Sequence, residues 1–281
     1  MPATKTILSD LCFPEGPRWH AGALWFSDMH DRRILKVYPN GLKETVVLTP
    51  SSPSGLGWMP NGDLLIVSME DKKILRWNGK DLDTHSNLED LASFHCNDMV
   101  VNENGRAYVG NFGFDLHGRA APKKAELICV EPSGEARVVA KNMEFPNGTV
   151  ISSDGKKLIV AETWASCLTA FDIRANGNLG NRRVWAKLDQ GAVPDGICLD
   201  QKNGIWSASP STNECVRQIE GGEITHRVQF DQGAFACMLG GESGKTLFVL
   251  TAGSSNPKTC KKRRSGRIEM VEAPYEKAGY P

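Results

Sequence analysis

Short apolar runs recur along this chain in pairs, each pair opened by a turn glycine. The glycines are Gly22, Gly62, Gly105, Gly155, Gly204 and Gly244, and the first runs after them span 23–27, 63–67, 106–110, 157–161, 205–209 and 246–250. A second run follows each, at 34–37, 74–77, 126–130, 168–171, 216–219 and 267–271. Lengths of four or five residues and enrichment in β-branched and aromatic types predict strands rather than helices. Asn61-Gly62, Asn104-Gly105, Asp154-Gly155 and Asn203-Gly204 are turn pairs that accept positive φ.

Successive glycines lie 40, 43, 50, 49 and 40 residues apart. That is the length of one four-stranded propeller blade. Six copies fill the 281 residues. The reading is an all-β six-bladed β-propeller with four antiparallel strands per blade, forming a single domain over residues 1–281. The segment 4–8 precedes the first repeat and is expected to complete the last blade, because closure removes exposed edges. Trp25, Leu65, Tyr108, Ile159, Trp206 and Phe248 share one repeat position and are expected to pack between blades.

Upstream of the turn glycines stand Pro14-Glu15-Gly16, Pro146-Asn147-Gly148 and Pro194-Asp195-Gly196. Aligned on the repeat, the middle positions read Glu15, Ser54, Asn97, Asn147, Asp195 and Ala236. Radial closure would place these six at the entrance of the central channel, where five carry an oxygen atom. Two carboxylates brought together on an axis repel unless something positive sits between them. Glu15, Asn147 and Asp195 offer oxygen only, which suits one hard divalent cation in the channel. Ca²⁺ is the first expectation, with Mg²⁺, Mn²⁺, Fe²⁺ or Zn²⁺ as alternatives. Three protein ligands leave room for water and substrate; such an ion polarises a carbonyl and activates water, which gives ester or lactone hydrolysis. Asp195 is also placed to take the proton from that water. For any one of the three alone, capping of loop N–H groups is the simpler role.

Charge and composition narrow the partners. Lysine plus arginine equals aspartate plus glutamate, 33 each, so no nucleic-acid or membrane partner is indicated. The basic run Lys258 to Arg264 reads as a solvated loop. The opening residues 1–6 lack a secretory pattern, and no apolar stretch approaches the ~20 residues of a membrane helix. Eight cysteines without CxxC pairs fit a reduced, cytoplasmic setting. Cys96 and Cys237 fall beside channel positions. Residues 240–246 imitate a phosphate loop but lack its first glycine, Leu239 standing there, and read as a hairpin turn.

The stretches 13–19 (Phe-Pro-Glu-Gly-Pro-Arg-Trp), Asn97-Asp98, Phe145-Pro146-Asn147-Gly148 and 193–200 (Val-Pro-Asp-Gly-Ile-Cys-Leu-Asp) resemble the SMP-30/gluconolactonase/luciferin-regenerating-enzyme family over nearly the whole chain. The resemblance implies a six-bladed propeller, a divalent cation on Glu15, Asn147 and Asp195, lactone hydrolysis with Asp195 as base, and Asn97 at the substrate. Sugar-lactonase members resemble Arg-x-Asn-Asp-Gly where this chain has His95-Cys96-Asn97-Asp98-Met99. The sugar-gripping arginine is missing, and His95 has fewer donors. Met29, His30, Asn111, Phe112, Phe114 and Trp164 are candidate walls. The substrate-binding set is therefore Asn97, His95, Asn111, Trp164 and Met99, for a small lactone or ester less hydroxylated than an aldonolactone. His95 is also weighed as proton donor to the leaving alkoxide. Two other readings stand beside the lactonase: an organophosphate or aryl-ester hydrolase on the same metal centre, and a non-catalytic calcium- or ligand-binding propeller.

Overall fold

The computed structural model describes residues 4–281. Residues 1–3, part of the opening segment discussed above, lie outside the described residues. The 24 strands form six four-stranded antiparallel sheets, the blades of a propeller. Blade 1 runs outward from the axis as Pro14–His20, Ala23–Asp28, Arg33–Val37 and Lys43–Leu48. Blades 2, 3, 4 and 5 begin with inner strands Pro53–Trp58, Cys96–Val101, Pro146–Ile151 and Ile197–Leu199. Blade 6 is built from Gly233–Gly240, Thr246–Ala252 and Gly266–Glu272, with Lys5–Leu11 as its outermost strand. Lys5 faces Met270 and Leu11 faces Gly266, so the two ends of the chain share a sheet and the ring has no open seam.

Apolar alternation along each strand buries side chains between neighbouring blades. Tyr108 and Cys129 of blade 3 pack with Leu158, Val160 and Phe171 of blade 4 in one cluster. The six equivalent packing positions sit at one register: Trp25 pairs with Arg18, Leu65 with Gly57, Tyr108 with Val100, Ile159 with Val150, Trp206 with Cys198 and Phe248 with Met238. All are buried except Trp25, which is half-buried against Trp58. Burial of each such side chain contributes about 1.5–3 kcal/mol.

The same register corrects the sixth axial position. Arg18 lies three residues after Glu15 and Cys198 three after Asp195; the residue three before Met238 is Phe235, not Ala236. Phe235 faces the axial cavity, whereas Ala236 is fully buried in the core. Continuous pairing from Ala236 to Gly240 gives blade 6 one more paired inner residue than counting from Gly244 allows.

The basic run at 258–264 is also corrected. It lies on a helix, Pro257–Arg263, whose Asn256 cap accepts N–H bonds from Lys258 and Thr259 at 3.1 and 3.2 Å. Proline in the first turn and an oxygen cap before it favour this start. Cys260 is buried beneath it, and Arg264 clamps Asp31 at 2.9 Å. At the opposite end of the channel the C-terminal segment crosses the blades. Tyr280 exchanges two backbone bonds with Ile151, and Ala278 N–H donates to the Leu199 carbonyl.

Candidate functional site

In blades 1 to 4 the inner strand carries an irregularity at the same place: between Glu15 and Arg18, Pro53 and Leu56, Cys96 and Met99, and Pro146 and Thr149. Such a bulge bends the strand and re-aims a side chain. In blades 1, 3 and 4 it turns Glu15, Asn97 and Asn147 towards the axial cavity. The glycine that follows lets adjacent inner strands close up. A Cβ on Gly148 would stand 2.5 Å from the Asp195 carbonyl oxygen, and one on Gly196 would stand 2.6 Å from the Ala236 Cα. Gly148 N–H in turn donates to the Asp195 carbonyl at 3.1 Å, and Gly196 N–H to that of Phe235 at 2.8 Å. Side chains of consecutive blades are thereby gathered on the axis.

Glu15, Asn97, Asn147 and Asp195 all line one cavity of about 340 Å³ at that end of the propeller. All four are buried. Glu15 Oε2 accepts the Gly16 N–H at 3.0 Å. Asn147 Nδ2 donates to Thr163 Oγ1 at 3.2 Å, and that hydroxyl donates to the Pro194 carbonyl at 2.8 Å. This chain fixes the amide so that Oδ1 is the free acceptor. Asn97 Nδ2 donates to the Pro146 carbonyl at 3.3 Å, which leaves its oxygen to the cavity as well.

Burial pushes the Glu15 carboxyl well above its ordinary value, and the neighbouring Asp195 adds to the shift. Asp195 is raised well above its own, by burial first and then by Asp98, with the Asn147 amide opposing. Neither makes an ion pair with a described residue, whereas Asp98 has one, to Arg18 at 2.7 Å. No group of three His, Cys, Asp or Glu side chains gathers among the described residues as a metal cluster. The set here is two carboxylates and an amide oxygen. Two buried like charges without a basic partner fit a divalent ion between them, and all-oxygen donors fit a hard one.

Above these residues the walls are apolar: Phe13, Met29, Met69, Phe112, Phe145 and Phe235. Phe112 stacks on Phe145 at 4.5 Å, and Phe13 meets Phe235 edge-on at 4.8 Å. His95 lines the cavity and stacks on Phe94 at 4.0 Å; burial lowers its pKa, leaving it neutral at pH 7. His30 lines it too, with Nε2 donating to the Ser255 carbonyl at 3.1 Å. Trp164 stands at the rim, 50% exposed.

Two residues expected at the substrate lie elsewhere. Asn111 is fully buried and spends its amide inside blade 3, donating to the Glu126 carbonyl at 3.0 Å and accepting from Gly113 N–H at 3.0 Å. Met99 is a core residue with no exposure and does not reach the cavity. Phe114 and Ser54 also lie off the wall; Phe114 packs behind it, 5.8 Å from Phe145. Cys96 is sealed in the core, its thiol pushed up to about 12 by burial, and Cys237 is likewise raised, so neither is a nucleophile.

The reading of the residues missed Glu70, Asp115 and His117 at the mouth. Glu70 is held by Ser52, through N–H at 3.0 Å and Oγ at 2.8 Å, and by Ser51 Oγ. Asp115 and His117 sit on the long connection between Ala107–Asn111 and Ala125–Val130. The longest spacing between turn glycines, 50 residues, was the available sign of that overhang.

A family model described as SMP-30/gluconolactonase/LRE-like region matches residues 13–253. Regucalcin of Xenopus laevis is 23% identical over 268 residues, 92% of this chain and 89% of that protein. Among solved structures, a luciferin-regenerating enzyme superposes with a TM-score of 0.83 at 18% identity, covering 99% of this chain and 98% of the other. A gluconolactonase of Xanthomonas campestris superposes with a TM-score of 0.77 at 22% identity, covering 96% and 89%.

Proposed function

The chain belongs to the SMP-30/gluconolactonase/LRE-like family, and on that premise we propose that it is a divalent-cation-dependent lactonase. The observation that carries this reading is the buried, unbalanced set of Glu15, Asn147 and Asp195 in a cavity walled mainly by phenylalanine and methionine, with its other charged groups at the mouth. These three residues would hold the ion, Ca²⁺ first among the candidates. When bound it supplies Lewis acidity at an ester carbonyl.

The remaining chemistry belongs to the side chains. Asp195, whose carboxylate lines the cavity, would take the proton from the attacking water. The Asn97 amide, anchored through Nδ2, presents its oxygen to substrate or water. The phenylalanine and methionine walls exclude bulk solvent and receive the rest of the ring by apolar contact. With His95 where sugar lactonases resemble an arginine, few donors face a polyhydroxylated ring. The preferred substrate is a lactone or simple ester with few hydroxyls.

The test is hydrolysis of aliphatic lactones and aldonolactones by metal-stripped protein, with each divalent cation restored and Asp195→Ala beside it. Cation-restored turnover, fastest on aliphatic lactones and lost in Asp195→Ala, is expected. Turnover confined to aldonolactones would overturn the substrate assignment. No turnover with any cation would overturn the lactonase reading and turn the search to phosphotriesters, then to ligand binding alone.

A further inference from the structure

A third buried carboxylate stands beside the proposed cation ligands. Asp98 is 6% exposed, and its charge acts on both Asp195 and Glu15. One basic side chain reaches it. Arg18, 4% exposed, donates from Nη2 to Asp98 Oδ1 at 2.7 Å and to the Met99 carbonyl. Its Nε donates to the Leu56 carbonyl at 2.9 Å and its Nη1 to the Pro17 carbonyl at 2.7 Å. The guanidinium is thus tied to the inner strands of blades 1, 2 and 3 at once. Planar, multiply bonded and always charged, it is a fixed positive charge rather than a mobile one. Asp98 is equally fixed: the same Oδ1 also accepts the Met99 N–H at 2.8 Å.

Counted as ionised, the buried charges grouped at the axial site are Glu15, Asp98 and Asp195, each negative, and Arg18, positive. Their sum is −2, the charge one divalent ion neutralises. Elsewhere in the ring Asp28, Glu162, Asp200 and Glu214, all buried, each have an arginine of their own. We infer that the Arg18–Asp98 pair is an internal counter-charge that sets the site's net charge, and so its affinity and valence preference for the ion. This rests on the cation reading of Glu15, Asn147 and Asp195.

Calorimetric titration of Ca²⁺ into metal-stripped wild type, Asp98→Asn, Arg18→Gln and the double variant tests it. Asp98→Asn leaves −1 and is expected to weaken binding roughly tenfold or more. Arg18→Gln leaves −3 and is expected to tighten it and to favour Tb³⁺ over Ca²⁺ relative to wild type. The double variant returns to −2 and is expected to recover most of the affinity lost in Asp98→Asn. If Arg18→Gln does not fold, Asp98→Asn against the double variant still isolates the arginine charge. Unchanged affinities, or a double variant no tighter than Asp98→Asn, would overturn the counter-charge. A wild type that takes up no cation would instead overturn the site reading, and this inference with it.

Discussion

Asp195 and Asp200 stand five residues apart, at opposite ends of one inner stretch of blade 5, and both are buried. Asp200, at the turn end, is fully satisfied. It accepts Lys202 N–H at 2.9 Å and Gly204 N–H at 3.1 Å, and it grips Arg217 through Nε at 2.5 Å and Nη2 at 3.1 Å. Arg217 in turn stacks over Tyr275 at 4.6 Å. Asp195, at the axial end, has no ion-pair partner among the described residues and has two carboxylate neighbours, Asp98 and Glu15. Taking a carboxylate out of water costs several kcal/mol unless it is paired. On the proposed reading, the same residue type at the two ends of one inner stretch is therefore structural where it is paired and a cation ligand where it is not.

The largest effect that would break this contrast is on turnover. Asp195→Ala is expected to reduce cation-dependent lactone hydrolysis to background with a melting temperature near wild type. Asp200→Ala should do the reverse. Arg217 would be left buried without its partner, costing about 3–5 kcal/mol in denaturant unfolding, while activity per folded molecule is retained. An Asp200→Ala protein of unchanged stability would remove the distinction. Trp206, paired with Cys198 between these two aspartates and 2% exposed, should cost roughly 3–5 kcal/mol as Trp206→Ala, with no change in cation affinity.

A smaller effect concerns pH. Glu15 and Asp195 have raised values in the folded protein. Folded chains then hold protons that unfolded chains have released, so their contribution to stability falls as pH rises from the ordinary carboxylate range, near ~4, through the raised values. Metal-free wild type should lose more melting temperature than Asp195→Asn between about pH 5 and about pH 8, and saturating cation should remove that excess loss. Equal pH profiles in the two proteins would contradict the unpaired state of the axial carboxylates. The smallest effect is at His95. Being held neutral against Phe94, it is expected to alter KM in His95→Gln and leave kcat near wild type; a loss of ~100-fold in kcat would identify a proton donor instead.

The repeat was legible because its carriers are local: a turn glycine, a strand and a Pro-x-Gly step recur at blade spacing. The gathering of Glu15, Asn97, Asn147 and Asp195 followed from radial closure alone. Other features need distances in space. Whether Met99 faces the cavity or the core depends on the bulge in its inner strand, and Asn111 is drawn into blade 3 by Glu126 and Gly113; no pattern in the chain reports either. Arg18 and Asp98 meet across 80 residues and three blades. The one-residue shift from Ala236 to Phe235 arises from pairing inside blade 6 that spacing to Gly244 does not reveal. The helix Pro257–Arg263 was readable, since Asn256-Pro257 is a capping pair, but the density of lysine and arginine masked it.

The most direct measurement is a calorimetric titration of Ca²⁺ into metal-stripped wild type, Asp195→Asn and Asp200→Asn. One ion per chain in wild type and in folded Asp200→Asn, and none in Asp195→Asn, is the predicted result. Equal uptake by all three proteins, or none by wild type, would contradict the account.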